Sequence, residues 1–237
     1  MTQFIQLHFL TSYPPANLNR DDLGNPKTAR LGGVERLRVS SQSLKRAWRT
    51  SETFQKEFSG SIGTRTRRLG IEVFEALKAK GVTEKKAKDW AEEIAKEYGA
   101  LKKDVPLEIE QPVHVAPEER KTLDDLVSKL ADEKRGPKKE ELDSLLHDHT
   151  AVDIAMFGRM LASKTEFNGE AAVQVAHAIG VHASAVEDDY FTAVDDLNRN
   201  EPGAAHIGEA GFAAAVFYQY VCIDRDLLKK NLGNDEA

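Results

Sequence analysis

The sequence has little of what secreted or membrane-embedded proteins need. Its single cysteine, Cys222, excludes an intrachain disulfide and disfavours an oxidising compartment. No apolar run approaches the roughly 20 residues of a membrane span. The first residues lack the basic segment and the cleavage site of a signal peptide. These absences predict a cytoplasmic protein that has no membrane partner.

The common catalytic signatures are also absent. The sequence contains no Walker loop, no GxGxxG motif and no nucleophile elbow, and we predict a non-catalytic protein without cofactor or metal ion. One cluster offers an alternative, a ribonuclease that uses His147, His149 and Asp153, because imidazoles beside a carboxylate can transfer protons or bind a metal. Its spacing matches no standard zinc pattern, and a solvated helix end is the simpler explanation.

Charge is distributed unevenly along the chain. The net charge is −6 overall, yet residues 1–68 contain 12 Lys and Arg against 5 Asp and Glu, which gives +7 there and leaves −13 for the remainder. A basic segment joined to an acidic remainder points to a surface that binds a polyanion. Acidic helices that are merely soluble explain the −13 but not the +7.

The basic segment is centred on residues 34–49, VERLRVSSQSLKRAWR, whose pattern predicts a strand that runs directly into a helix. Arg36 and Arg38 alternate with apolar residues, so they share the open face of the strand. Ser40 or Ser41 is placed to cap the helix. The outer face of the helix then carries, at helical spacing, Gln42, Lys45, Arg46 and Arg49.

A helix start flanked by cations is an anion-binding site, because its first N–H groups are unpaired and the helix dipole is positive there. The same pattern also describes an amphipathic helix whose basic face is only solvated. Arg20 stands beside Asp21 and Asp22, so a local ion pair is the other explanation for it. The expected suppliers of phosphate contacts are Arg20, Lys27, Arg36, Arg38, Ser41, Gln42, Lys45, Arg46 and Arg49.

A helical lobe is predicted at residues 69–149. Two helices separated at Gly81 are followed by one that begins with Pro117, a residue favoured in the first helical turn. The framework around this lobe is rich in strands, which we place at residues 152–156, 170–179 and 212–223. Residues 181–211 are too long for an ordinary loop and favour a projecting ribbon. The predicted fold class is α+β.

Several segments together carry a family resemblance. SSQSLKRAWR, preceded by NLNRDD at 17–22 and by Gly32-Gly33, resembles the N-terminal signature of the CasC family. This family is the RNA-binding backbone subunit of the type I-E CRISPR surveillance complex, Cascade. Three later segments agree in order, namely VDIAMFGRM at 152–160, FTAVDDL at 191–197 and AHIGEAGF at 205–212.

The resemblance implies a hand-like fold. Residues 1–68 and 150–237 would form an RRM-like (ferredoxin-like) palm, residues 69–149 helical fingers, and residues 181–211 a thumb ribbon. It also implies a subunit that oligomerises along CRISPR guide RNA, contacts other Cascade subunits, and presents the guide for pairing with target DNA. Family members usually continue for a further domain-sized stretch, so we expect either a partial chain or a shortened member.

The resemblance falls residue by residue on Gln42, Lys45 and Arg46. It also assigns Met160, which follows Arg159, to contacts with guide bases, although an isolated methionine is otherwise typical core filler. Phe191 lies in a polar, acidic ribbon, where it is poorly explained as core and is expected to wedge between bases or stack on one. Arg159, Met160 and Phe191 complete the predicted RNA-binding set.

Overall fold

The computed structural model describes residues 3–147, 149–162, 164–194 and 204–233. Its backbone contacts divide the chain into two compact units. The sheet unit comprises Phe4–Thr50 and Gln174–Cys222, and the helical unit comprises Met1–Gln3, Ser51–Val173 and Ile223–Ala237. Helices and an antiparallel sheet occur together, which confirms the predicted α+β class.

The elements follow one another along the described chain as strands β1 to β9 and helices α1 to α8, with one 3-10 turn. The strands are β1 (Phe4–Ala16), β2 (Thr28–Leu31), β3 (Val34–Val39), β4 (Thr64–Thr66), β5 (Val113–Val115), β6 (Val173–Val175), β7 (Ala178–Gly180), β8 (Glu187–Val194) and β9 (Ala204–Asp224). The helices are α1 (Ser41–Arg49), α2 (Glu52–Glu57), α3 (Leu69–Ala79), α4 (Glu84–Tyr98), α5 (Pro117–Glu133), α6 (Lys139–Asp143), α7 (Val152–Phe157) and α8 (Arg225–Asn231), and the 3-10 turn is Thr165–Phe167.

The principal sheet has the strand order β1-β9-β7-β3-β2, and β6 and β8 also pair with β9. One face of the sheet unit is its core, formed by Leu37, Val39, Ala178 and Phe217, against which Leu44 of α1 packs. Successive side chains of a strand point to opposite faces. Helix α1 therefore covers the core face, and the arginines of β3 lie on the opposite, open face.

Strand β9 is 21 residues long and belongs to both the ribbon and the sheet. Its first part pairs with β8, from Glu187 opposite Phe212 to Val194 opposite Ala204. Its second part pairs with β7, where Ile179 lies opposite Tyr218. A ribbon therefore forms where residues 181–211 predicted one, although its tip, with the end of the FTAVDDL segment, lies outside the described residues.

The core of the helical unit is built by α3, α4 and α5, which bury residues such as Leu77, Ile94 and Leu123. The predicted break falls between α3 and α4, where Gly81 has a positive φ of 82°, and Pro117 is the first residue of α5. No helix in the part of the chain that the structure describes is both long and apolar enough to cross a bilayer.

The strand predicted at residues 152–156 is wrong, because Val152–Phe157 forms helix α7. Asp153, Ile154 and Ala155 are buried in succession, whereas a half-buried strand buries every second residue. The buried carboxylate of Asp153 accepts the amide of Gly63 at 2.9 Å. The sequence prediction failed because Asp153, a polar residue between apolar ones, gave the segment the alternating pattern of a strand. The strand predicted at 170–179 is present as two short strands, β6 and β7.

Candidate nucleic-acid interface

The junction between β3 and α1 is capped as predicted. The Ser40 hydroxyl accepts the amide of Ser43 at 3.3 Å. The amide of Ser40 itself donates to Asn19 Oδ1 at 2.9 Å, and the amide of Ser41 donates to His177 Nδ1 at 3.4 Å. Most of the amides at this helix start are therefore bonded within the protein, so anion affinity must come chiefly from side chains.

The outer face of α1 supplies such side chains. Arg46 is exposed and Lys45 half-buried, and within the described residues neither cationic group has a hydrogen-bond or ion-pair partner. The first turn of α1 contains no acidic residue, and its last turn contains Arg46 and Arg49. Among the described residues the charges of Lys45 and Arg46 are therefore not neutralised, which is the condition under which a surface attracts phosphate.

The two arginines of β3 are instead held in place by acceptor atoms. Arg36 donates from Nε to the carbonyl of Leu31 and from Nη1 to the carbonyl of Gly180, both at 3.0 Å. Arg38 Nη1 lies 3.3 Å from His177 Nδ1. Both guanidinium groups are therefore oriented before any ligand binds. Arg36 and Arg38 lie on the open face of the sheet, whereas α1 covers the core face. The arginines of β3 and the cations of α1 therefore flank the strand–helix junction from two sides and do not line one groove.

The loop between β1 and β2 carries the next two candidates. Neither Asp21 nor Asp22 forms an ion pair with Arg20 among the described residues, and Asp21 Oδ1 accepts hydrogen bonds from the amides of Leu23 and Asn25, each at 2.9 Å. Arg20 is exposed and Lys27 is half-buried at the end of the loop. The ion-pair explanation for Arg20 therefore has no support among the described residues.

Arg159 and Met160 belong to the helical unit and differ sharply in exposure. The Arg159 side chain is 2% exposed and forms an ion pair with Glu119 at 2.8 Å. It also donates to the carbonyl of Phe167 at 3.0 Å. Its N–H donors all point into the protein. In this conformation the Arg159 side chain therefore cannot make the predicted contact with RNA. Met160 is 76% exposed and remains a surface candidate.

Phe191 lies on β8, directly opposite Gly208 of β9. A Cβ atom on residue 208 would come within 2.3 Å of the Phe191 ring, so the ring lies against the glycine backbone. Phe191 nevertheless keeps 44% of its surface exposed. An aromatic ring supported on one side and exposed on the other is suited to stacking.

The histidine cluster considered for catalysis lacks its carboxylate: His147 and His149 line the same pocket, but Asp153 is not among the lining residues. The Asp153 carboxylate is taken by His114, whose Nε2 lies 2.8 Å from Oδ2. Burial lowers the pKa of His149, and His147 contacts a threonine hydroxyl. No group of three or more His, Cys, Asp and Glu in the described part of the chain is arranged to hold a metal ion. A second function based on His147, His149 and Asp153 therefore gains no support.

Some residues that the sequence did not single out contact the predicted RNA-binding residues or share their face of the sheet. His177 contacts both Ser41 and Arg38 through Nδ1, so one imidazole links the helix start to the open face. On that face, His8 Nδ1 lies 2.8 Å from the hydroxyl of Tyr218, and the His8 ring centroid is 5.1 Å from that of Tyr220. Tyr218 and Tyr220, two aromatic residues on one face of a predicted strand, could have indicated this cluster from the sequence. No sequence spacing relates His177 to Ser41, so that contact could not be predicted.

The chain matches one known protein family and resembles solved structures. The family model for CT1975-like protein matches residues 5–237. No curated protein matches the chain. One similar solved structure is a chain of a CRISPR RNA-guided surveillance complex described as pre-nicking, with a TM-score of 0.81 and 32% identity, covering 98% of this chain and 67% of that chain.

A second similar structure is a chain of a CRISPR RNA-guided surveillance complex, with a TM-score of 0.71 and 27% identity. The alignment covers 98% of this chain and 66% of that chain. The present chain thus spans about two thirds of the length of the subunits that it resembles.

Proposed function

Because the chain belongs to the family of CT1975-like proteins, we propose that it is a non-catalytic backbone subunit that binds CRISPR guide RNA in a surveillance complex of the type I-E Cascade kind. Several copies bind along one guide RNA, beside other Cascade subunits in the cytoplasm. The guide then pairs with target DNA in defence against foreign DNA. Pairing supplies sequence specificity, while the protein reads the backbone and shape of the guide.

The observation that carries this proposal is the uncompensated charge of Lys45 and Arg46 on α1. A subunit that accepts every guide needs affinity without sequence preference, and phosphate contacts provide it. Arg36 and Arg38 add guanidinium groups that are already oriented, so little conformational entropy is lost when they bind phosphate. The remaining contacts with the phosphate backbone of the RNA are proposed for the side chains of Arg20, Lys27, Ser41, Gln42 and Arg49.

Two exposed apolar side chains are proposed to contact bases. Met160 offers a polarisable thioether at the surface, and Phe191 offers a ring for stacking. Arg159 leaves the set of direct contacts because its guanidinium group is buried. The ribbon formed by β8 and β9 then corresponds to the thumb, and the helical unit contains the fingers.

The test measures the mass of the complex and the integrity of the RNA. We would mix the purified chain with CRISPR-repeat-derived RNAs of increasing length, then apply light scattering and a denaturing gel. The expected result is a copy number that rises with RNA length on intact RNA. A single copy at every length contradicts oligomerisation along the guide. RNA that the wild-type chain shortens but that stays intact with the His149→Ala variant contradicts the non-catalytic assignment.

A further inference from the structure

Met160 is an exposed apolar residue between two buried ones. It is 76% exposed, while Arg159 and Leu161 on either side are 6% and 2% exposed. An isolated exposed apolar residue is unremarkable on a flexible loop. Here the flanking residues anchor the backbone on both sides, so the methionine is held at the surface by its neighbours.

Main-chain contacts fix this anchor. The amide of Arg159 donates to the carbonyl of Gly169, and the amide of Gly169 donates back to the carbonyl of Arg159, each at 3.0 Å. The amide of Leu161 donates to Asn168 Oδ1. The residues before and after Met160 are therefore both tied to the same short segment, 168–169.

The Arg159 side chain ties this segment to the rest of the helical unit. Its Nη1 donates to both carboxylate oxygens of Glu119, at 2.9 and 2.8 Å, and lies 3.3 Å from the carbonyl of His114. Its Nε and Nη2 donate to the carbonyl of Phe167 at 3.2 and 3.0 Å. One planar guanidinium group thus joins the start of α5, strand β5 and the 3-10 turn.

The ion pair between Arg159 and Glu119 is better suited to fixing the position of this segment than to adding stability. A buried ion pair usually adds little stability compared with apolar residues of the same volume, whereas the planar donor fork of arginine fixes several acceptors at once. The entry to the segment is equally constrained, since Gly158 has a φ of 78° and a Cβ there would lie 2.9 Å from the Gly169 carbonyl.

We propose that Arg159 and Glu119 form a positioning pair that directs Met160 towards a nucleobase of bound single-stranded RNA. Arg159 acts through Met160 and does not itself touch the RNA. This inference rests on the proposed function. It assigns the two buried residues to base placement, separate from the phosphate contacts of α1.

The first test uses the free protein. The sequence has three methionines, so ¹³C-labelled methionine methyl groups give a simple NMR spectrum in which Met160→Ala identifies the Met160 signal. Arg159→Lys keeps the charge but removes the fork. We expect a displaced Met160 signal and at least about tenfold faster hydrogen exchange at the Gly169 amide, because the bridge to Arg159 loosens.

The matched control is Arg135→Lys in the same unit. Arg135 also holds carboxylates through its fork, with Glu141 at 2.7 and 2.8 Å. The control should leave the Met160 signal and Gly169 exchange unchanged. Unchanged exchange in Arg159→Lys overturns the inference, as does an equal effect in both variants. If Arg159→Lys does not fold, Glu119→Gln replaces it with the same expected displacement.

The second test adds RNA that carries 2-aminopurine at successive positions. Arg159→Lys should remove the same position-specific fluorescence changes as Met160→Ala, while the Kd stays within about threefold of wild type because the phosphate contacts persist. Loss of changes at positions that Met160→Ala does not affect contradicts the inference. If the RNA does not bind and leaves the wild-type Met160 signal unmoved, the proposed function fails. The NMR and hydrogen-exchange results on the free protein still test whether Arg159 and Glu119 hold Met160 in place.

Discussion

Replacing Lys45 and Arg46 together by glutamine tests the phosphate-binding face of α1 most directly. The described structure gives neither side chain an intramolecular partner, and glutamine is a good helix former. The free energy of unfolding should therefore stay within about 0.5 kcal/mol of wild type. Any loss of RNA affinity can then be attributed to the interface and not to the fold.

The size of the loss follows from counterion release. Each phosphate contact on single-stranded nucleic acid contributes about 0.7 to the slope of log K against log salt, so two lost contacts lower the slope by about 1.4. Referred to 1 M salt, where this term vanishes, the loss at about 0.15 M salt is about 14-fold in Kd. That factor corresponds to about 1.6 kcal/mol of binding free energy.

The assay is fluorescence anisotropy of a labelled guide RNA, titrated at several concentrations of KCl from about 50 to about 300 mM. Lys85→Gln/Lys86→Gln is the matched control, because both lysines are exposed on α4 of the other unit and the net charge changes equally. An unchanged salt slope in the α1 variant would refute the assignment. An equal loss in both variants would show that total charge alone governs binding.

Three further changes report on residues that hold the interface or the fold. His177→Ala removes the acceptor of the Ser41 amide and should lower stability by about 1 kcal/mol and weaken RNA binding, as measured by urea unfolding and anisotropy. Asp153→Asn removes the charge from the bond with His114 and should cost about 2 kcal/mol, visible as a lower Tm than in wild type, whereas an unchanged Tm would contradict it. Burial lowers the pKa of His149 below its ordinary 6.5, so the unfolded chain takes up the proton first and stability falls as pH drops below 6.5; His149→Gln should flatten this fall in urea titrations.

Local rules recovered much of the framework. Ser40 and Ser41 could be named as cap candidates because the preference acts within one helical turn, and the structure selects Ser40. The inward position of Leu37 and Val39 follows from strand alternation, and the break at Gly81 follows from backbone freedom at a turn. Each of these predictions depends on neighbours that are close in sequence, where propensity and pattern are informative.

Long-range partners explain what the sequence did not reveal. Arg159 was predicted as an RNA ligand because it lies in the segment that carries the family resemblance, but its partner Glu119 lies 40 residues earlier in the chain. Asp153 imitated the polar position of a strand, whereas His114, also distant in sequence, makes its burial possible. Burial of a charge depends on a partner that the fold supplies, and no periodicity announces it.

The continuity of β9 has a consequence for how such chains can change in evolution. A single strand carries both the ribbon that holds Gly208 and the sheet that buries Phe217, without a hinge between them in the described pairing. Adding or deleting one residue between these positions would reverse the side of the strand on which every ribbon residue lies. Length changes in this stretch should therefore be accepted in steps of two, or be accompanied by a compensating bulge.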